Sequence, residues 1–225
     1  AARRTSCFNN LRQMGLGLHN YHDTFGCFPP GGIEPRSPRY PAGRQLAWSV
    51  FLLPFVEQQP LYDRIDTGQA FDAPDNADAA ATVLPLYICP SAPQDAATVP
   101  ERGRCHYGGI YGERITGPNS PPKGVMLYDR AVRIAEIRDG TSSTLIIAED
   151  CDFTDGQWIN GRNVFDQAFA INQAPAFEND IRSKHPEGAN GLFCDGSVRF
   201  LPETLDLPTL AAICTRNGGE VVGEF

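Results

Sequence analysis

The longest regular signal in the chain is a stripe of apolar and half-apolar positions at Cys7, Leu11, Met14, Leu18, Tyr21 and Phe25, in alternating steps of four and three. Such steps fall on one side of a helix, so a helix is predicted over residues 4–25. Gly26, suited to the left-handed cap, ends it. Gly15 and Gly17 lie inside this helix, where each costs about 1 kcal/mol relative to Ala. Close approach of another element and simple tolerance both account for them. The chain opens on Ala-Ala-Arg-Arg with no capping residue, which reads as a helix met partway along.

After Pro29-Pro30-Gly31-Gly32 the pattern is irregular to residue 44. Residues 46–65 then carry Trp48, Phe51, Leu52, Phe55, Val56, Leu61 and Ile65, one or two helices interrupted at Pro54 and Pro60. These positions read as core; aromatics lining a pocket are the alternative. A helix follows from residue 75 or 76 to 83, then a short strand over 86–89. Residues 94–123 form a long excursion, with an aromatic strand at 106–111. Strands are predicted over 124–128 and 144–148, and Thr144-Leu145-Ile146-Ile147-Ala148, the most hydrophobic run, belongs at the centre of the sheet.

Asp195-Gly196 between two alternating runs specifies a hairpin with a two-residue turn. Its register sets Phe193 opposite Val198 and Gly191 opposite Phe200, turning Phe193, Val198 and Phe200 to the core. A last helix over 205–217 is capped by Gly218. The sum is an α+β fold in one domain, 1–225. A helical segment, 1–25, packs on a mainly antiparallel head, 26–225, with extra short helices, long loops and a C-terminal hairpin and helix.

Composition narrows the chemistry. A net charge of -8 over 225 residues argues against a nucleic-acid partner, since phosphate contact needs concentrated Lys and Arg. No run approaches the roughly 20 apolar residues that cross a bilayer. The seven cysteines never form C-x-x-C, which argues against a zinc ribbon or thioredoxin-type site. Cys89 with Cys105 and Cys151 with Cys194 are the better disulfide pairs, with buried free thiols as the alternative. His19 and His22 have metal-ligand spacing without an evident third ligand. Asp150, Asp152 and Asp155 offer the oxygens that Ca2+ wants; a solvated acidic loop is the other reading. A helix-loop-helix calcium loop does not fit, because Gly156 comes one place late and Gly161 stands where its glutamate belongs. No hydrolase elbow, metalloprotease motif, phosphate loop or dinucleotide fingerprint is found.

Taken in order, the stretch CFNNLRQMGLGLHNYHDTFGCFPPGG from Cys7 to Gly32, then LLPFVEQQPLYDRID, YICPS, VRIAEIRDGTSSTLIIAE and HPEGANGLFCDGSVRFLPETLDLPTLAAICTRNGGEVV, resemble a large bacterial family of prepilin-type proteins. It is a family of unknown function, number 1559, also filed under a bacterial solute-binding heading. Its C-terminal signature, a His, nine residues and Asp-Gly, is matched by His185, Asp195 and Gly196. The resemblance implies a structural, non-enzymatic subunit like type IV pilins and the pseudopilins of type II secretion. It would be anchored in the inner membrane, with its head in the periplasm or outside the cell. Members begin with a basic leader and a hydrophobic helix that this sequence lacks, so it reads as the soluble part, expected to be monomeric. Its implied partners are other pilin-like subunits or envelope proteins, met through the N-terminal helix.

Two other readings stay open: an extracytoplasmic module binding a solute, glycan or peptide, with Trp48 and Trp158 in its pocket, and a secreted hydrolase. Catalysis by the signature is disfavoured. Asp195 sits at the hairpin tip and His185 before its open end, about six residues or about 20 Å apart. Asp195-Gly196 therefore reads as turn chemistry and His185 as an anchor for the strand.

Overall fold

The computed structural model describes residues 2–92, 98–99, 101–175, 177–220 and 222–223. Helix α1 spans Ala2–Phe25, and its stripe is buried at Cys7, Leu11, Met14 and Leu18. Tyr21 is half-buried and Phe25 exposed; their rings meet each other and Phe55 at the end of the helix. Gly26, at φ +74°, donates its N–H to the His22 carbonyl at 2.7 Å, as the left-handed cap requires.

Close approach, rather than tolerance, accounts for the two helical glycines. A Cβ on Gly15 would meet Leu192 Cδ1 at 2.9 Å, and one on Gly17 would meet Val56 Cγ1 at 2.7 Å and Leu52 Cδ1 at 3.1 Å. The helix thus lies against the sheet on one side and the following helical turns on the other. Those turns are α2 (Trp48–Leu52), a turn of 3-10 helix at Leu53–Phe55, and α3 (Gln59–Tyr62). Pro54 and Pro60 sit in first turns, where a missing N–H costs nothing. The helix expected near residue 75 is shorter, a 3-10 turn running into α4 (Ala77–Ala80).

Two small ribbons, β1 (Gly32–Ile33) with β2 (Leu46–Ala47) and β3 (Thr98–Val99) with β4 (Arg102–Gly103), flank the main sheet. That sheet comprises β5 (Tyr107–Glu113), β6 (Leu145–Glu149), β7 (Val164–Gln167), β8 (Gly188–Phe193) and β9 (Val198–Pro202), in the order β7-β5-β6-β8-β9. β6 is central, as its composition predicts, and every residue in it is buried. All pairings are antiparallel except β5 with β7. The fold is α+β. Ile146, Ile147, Leu192 and Val198 belong to the core beneath α1, while Leu145, Ala148, Phe193 and Leu201 pack on the opposite side with α5 (Leu207–Ile213). No described helix is long and apolar enough to cross a membrane.

Four expectations need correcting. The hairpin loop has three residues, not two: Gly196 N–H donates to the Phe193 carbonyl, Phe193 N–H donates to the Ser197 carbonyl, and Gly196 takes φ +85°. Asp-Gly serves either loop, because both place glycine at positive φ. The extra residue moves the register by one, setting Leu192 opposite Val198 and Asn190 opposite Phe200, so Phe193 lies on the face away from α1. Residues 86–89, read as a strand, begin in a 3-10 turn at Pro85–Tyr87, whose proline suits a first helical position. Residues 124–128 make bridges and turn contacts instead of a ladder strand. The last helix stops at Ile213; Asp206 caps its start by accepting the Thr209 N–H at 2.9 Å.

Replacing Gly17 by Leu should destabilise the chain by about 1–3 kcal/mol in urea unfolding, because the new side chain must displace Val56 and Leu52. Leu16→Ala, on the 65 % exposed neighbour, should change stability by less than about 0.5 kcal/mol; equal effects would mean that α1 is not docked this way. A second prediction concerns Asp180, which is fully buried, accepts the Ala168 and Phe169 N–H groups and is pushed up to about 7 by burial. Its unfolded value is about 3.9. Between about pH 4 and about pH 7 the folded state therefore keeps a proton that the unfolded state releases, and stability falls as pH rises. Asp180→Asn should make that decline shallower, read as urea midpoints across the range; Asp150, also raised to about 7 by burial, and Asp166, raised by burial, contribute to the slope that remains.

Candidate functional site

After an irregularity between Leu145 and Ile147, β6 alternates strictly, sending Glu149 to the same face as Ile147. Asn190, two residues before Leu192 on β8, shares that face. Cys7 occupies the first buried position of the α1 stripe and lies over this part of the sheet. Cys89 follows the 3-10 turn at Pro85–Tyr87, held by its own N–H, which donates to His106 Nδ1 at 3.0 Å. His185 precedes β8, and Cys151 follows β6 by two residues. Four segments far apart in sequence thus deliver three thiols, an imidazole and a carboxylate to one buried spot.

The side chains of His185 and Glu149 are 2 % and 0 % exposed. His185 Nε2 stands 3.1 Å from Glu149 Oε1 and 3.8 Å from Cys89 Sγ, and its Nδ1 stands 3.3 Å from Ser91 Oγ. Donor atoms of Cys7, Cys89, Glu149 and His185 all lie within 4.8 Å of one another. Asn190 fixes the carboxylate twice: its backbone N–H donates to Oε2 at 2.7 Å and its side-chain amide to Oε1 at 3.0 Å. Cys7, Cys89 and Cys151 pack as a small buried cluster with Ala92. Above them a surface depression of about 530 Å3, lined by Arg3, Arg4, Ser91, Lys184, His185 and Glu187, reaches the imidazole.

The thiols are not equivalent. Hydrogen bonds from Cys151 and Cys7, then the Ser91 N–H, hold Cys89 well below the usual thiol range despite its burial. Donating to Cys89 and being buried push Cys7 and Cys151 up. Of the trio, Cys89 is the one whose surroundings favour the negative form. His185 is raised, chiefly by its hydrogen bond to Glu149. His106, whose Nδ1 accepts from Cys89, is pushed down to about 4 by burial and stays neutral. The arrangement can bind a metal ion through sulfur, nitrogen and oxygen, or support thiol redox chemistry; among the described residues it is the only such group of donors.

The structure disperses most of the residues that the sequence singled out. Asp150, Asp152 and Asp155 do not converge as a Ca2+ ligand set must. Asp150 pairs with buried Arg182 at 3.0 Å, Asp152 with Lys184 at 2.5 Å, and Asp155 with Arg162 and Gln157. All seven cysteines are free. Neither expected disulfide pairing is formed: Cys89 sits with Cys7 and Cys151, Cys105 donates to the Tyr107 carbonyl, and Cys194 is buried at the hairpin loop, where its N–H donates to the Thr144 carbonyl. His185 and Asp195 do not share a contact; His185 turns to Glu149, and Asp195 Oδ1 accepts the Ser197 N–H at the tip with Gly196. Trp48 and Trp158 are fully buried and donate to the Asn163 and Thr82 carbonyls, so they are core. His19 and His22 pack their rings against Phe28.

A mixed five-stranded sheet with a long N-terminal helix laid over a buried thiol, imidazole and carboxylate cluster defines the class of protein. The sequence profile of a family described as "Protein of unknown function (DUF1559)" matches residues 1–168 and 154–208, and the chain belongs to that family. No curated protein and no solved structure matches it.

Truncating Asn190 to Ala removes one of the donors on a fully buried carboxylate. It should cost about 1–3 kcal/mol in urea unfolding, whereas Gln59→Ala, at an exposed bond to Asp63, should cost much less. Equal losses would mean that Glu149 has other support.

Proposed function

We propose that the chain is a non-enzymatic, pseudopilin-like subunit of the bacterial cell envelope, with α1 as its spine and the sheet as the core of its head. The inner membrane is its anchorage, and the head lies in the periplasm or outside the cell. The observation that carries this reading is the two-sidedness of α1. One stripe is spent on the head, while Arg3, Arg12, Gln13 and Leu16 on the other side are exposed. Leu16 and the aliphatic parts of Arg12 and Gln13 edge a groove of about 450 Å3 that ends at Gly196. An exposed leucine beside long polar side chains suits packing against the corresponding helix of another subunit or an envelope protein.

The test separates assembly from folding. Leu16→Glu combined with Arg12→Glu should leave the melting temperature of the purified chain nearly unchanged, yet reduce to background the self-crosslinking of the protein in bacterial envelope fractions. Undiminished crosslinking would refute the spine reading. A second reading, a module binding a solute, glycan or peptide, is favoured by a separate groove of about 680 Å3 lined by Glu34, Arg36, Arg39, Tyr40, Gly43 and Asp129. In that case a ligand from a panel should raise the melting temperature and Tyr40→Ala should abolish the rise; a panel without any shift would count against it.

A further inference from the structure

We propose that Cys7, Cys89, Glu149 and His185 form a binding site for a thiophilic divalent metal ion, Zn2+ by the chemistry of the donors, that clamps α1 onto the head. The site is independent of the envelope reading above, since it concerns the purified chain alone. Two sulfurs, an imidazole and one carboxylate make a donor set that selects zinc-like ions over Ca2+ or Mg2+, which take oxygen.

Size supports the assignment. With Zn–S of about 2.3 Å and Zn–N or Zn–O of about 2.0–2.2 Å, a tetrahedron has edges of about 3.8 Å between sulfurs, about 3.5 Å from sulfur to nitrogen and about 3.3 Å from nitrogen to oxygen. The corresponding separations are 3.8 Å for Cys89 Sγ to His185 Nε2 and 3.1 Å for His185 Nε2 to Glu149 Oε1, with every donor pair inside 4.8 Å. Those two separations lie within about 0.3 Å of the tetrahedral edges, and no donor pair is longer than its edge by more than about 1.5 Å.

The surroundings are those of a supported site. The imidazole directs Nε2 inward while Ser91 Oγ stands at Nδ1 and can accept its proton, the usual way a metal-bound histidine is held. Asn190 clamps the carboxylate from backbone and side chain, and the Ser91 N–H donates to the Cys89 sulfur. Two thiolates and a carboxylate carry three negative charges against the ion's two positive ones. Arg3 and Arg4 at the depression above His185 offset part of the excess; of the other charged groups there, Lys184 is paired with Asp152 and Glu187 is acidic. That depression also gives the ion a way in.

A disulfide is the competing outcome for adjacent thiols in an oxidising compartment. It would use two sulfurs and leave unexplained why a buried carboxylate and imidazole converge on the same point. Cys151 lies beside Cys89 as a hydrogen-bonding neighbour and is outside the ligand set. The consequence for the fold is a cross-link joining α1, the segment after Pro85–Tyr87, the end of β6 and the approach to β8, so that metal and docking of α1 rise and fall together.

The experiment uses the intact chain, purified without immobilised metal or chelator. Elemental analysis should find about one Zn2+ per chain. Co2+ loaded in its place should give the intense visible bands of tetrahedral thiolate ligation, and a strong chelator should lower the melting temperature. Ser91→Ala, outside the ligand set, should weaken affinity about 10–100-fold. Cys89→Ser should abolish the cobalt bands, while Cys151→Ser and Cys194→Ser should retain them. Because Cys89→Ser removes a buried group, its circular dichroism is compared with the parent; if it is unfolded, the Ser91→Ala and Cys151→Ser arms decide. Three results would overturn the proposal: a metal-free chain with Cys89 in a disulfide, cobalt bands that survive in folded Cys89→Ser, or bands lost in folded Cys151→Ser.

Discussion

The close seating of α1 on the sheet is the constraint on which the rest of the molecule depends. Gly15 and Gly17 leave no Cβ to hold Leu192, Val56 and Leu52 away, so the helix can sink far enough for Cys7, Leu11, Met14 and Leu18 to enter the core. Cys7 is the outermost buried member of that row and reaches Cys89 only because the helix lies so close. A cost in helix propensity, about 1 kcal/mol for each glycine, is accepted for apolar burial worth more than that.

The second constraint is electrostatic. Glu149 terminates a central strand with no exposure at all, and a bare carboxylate there would be prohibitive. Asn190 and His185 make it tolerable, and both come from the adjacent β8 side of the sheet. A similar solution recurs one residue later, where buried Asp150 meets Arg182. β6 therefore ends in two carboxylates facing opposite ways, one toward the thiols and one toward a guanidinium. That is why the acidic run after β6 does not act as one ligand set.

The family resemblance and the geometry bear on different questions. Membership in a family of unknown function, matched over residues 1–168 and 154–208, concerns ancestry. The cluster concerns chemistry, and no spacing rule points to it, because its members come from positions 7, 89, 149, 151 and 185. A hint was nonetheless present in the sequence: Cys7, Cys89, Glu149 and His185 each fall within one of the stretches that carry the resemblance. The lack of C-x-x-C bears on local zinc motifs alone and says nothing of a site assembled through the fold.

What the sequence determined by itself were the features set by local periodicity and local turn chemistry. The α1 stripe, its glycine cap, the central placement of β6 and the existence of a C-terminal hairpin all follow from side chains within a few residues of one another. The tertiary structure alone decided the hairpin register, since Asp-Gly fits a two- or a three-residue loop and packing of Leu192 and Val198 beneath α1 selects between them. It also decided the partners of the cysteines and carboxylates. Those pairings depend on which strand edges and helix faces meet across the sheet, and contacts such as those joining Cys7, Cys89, Glu149 and His185, dozens of positions apart, leave no period in the chain to be read.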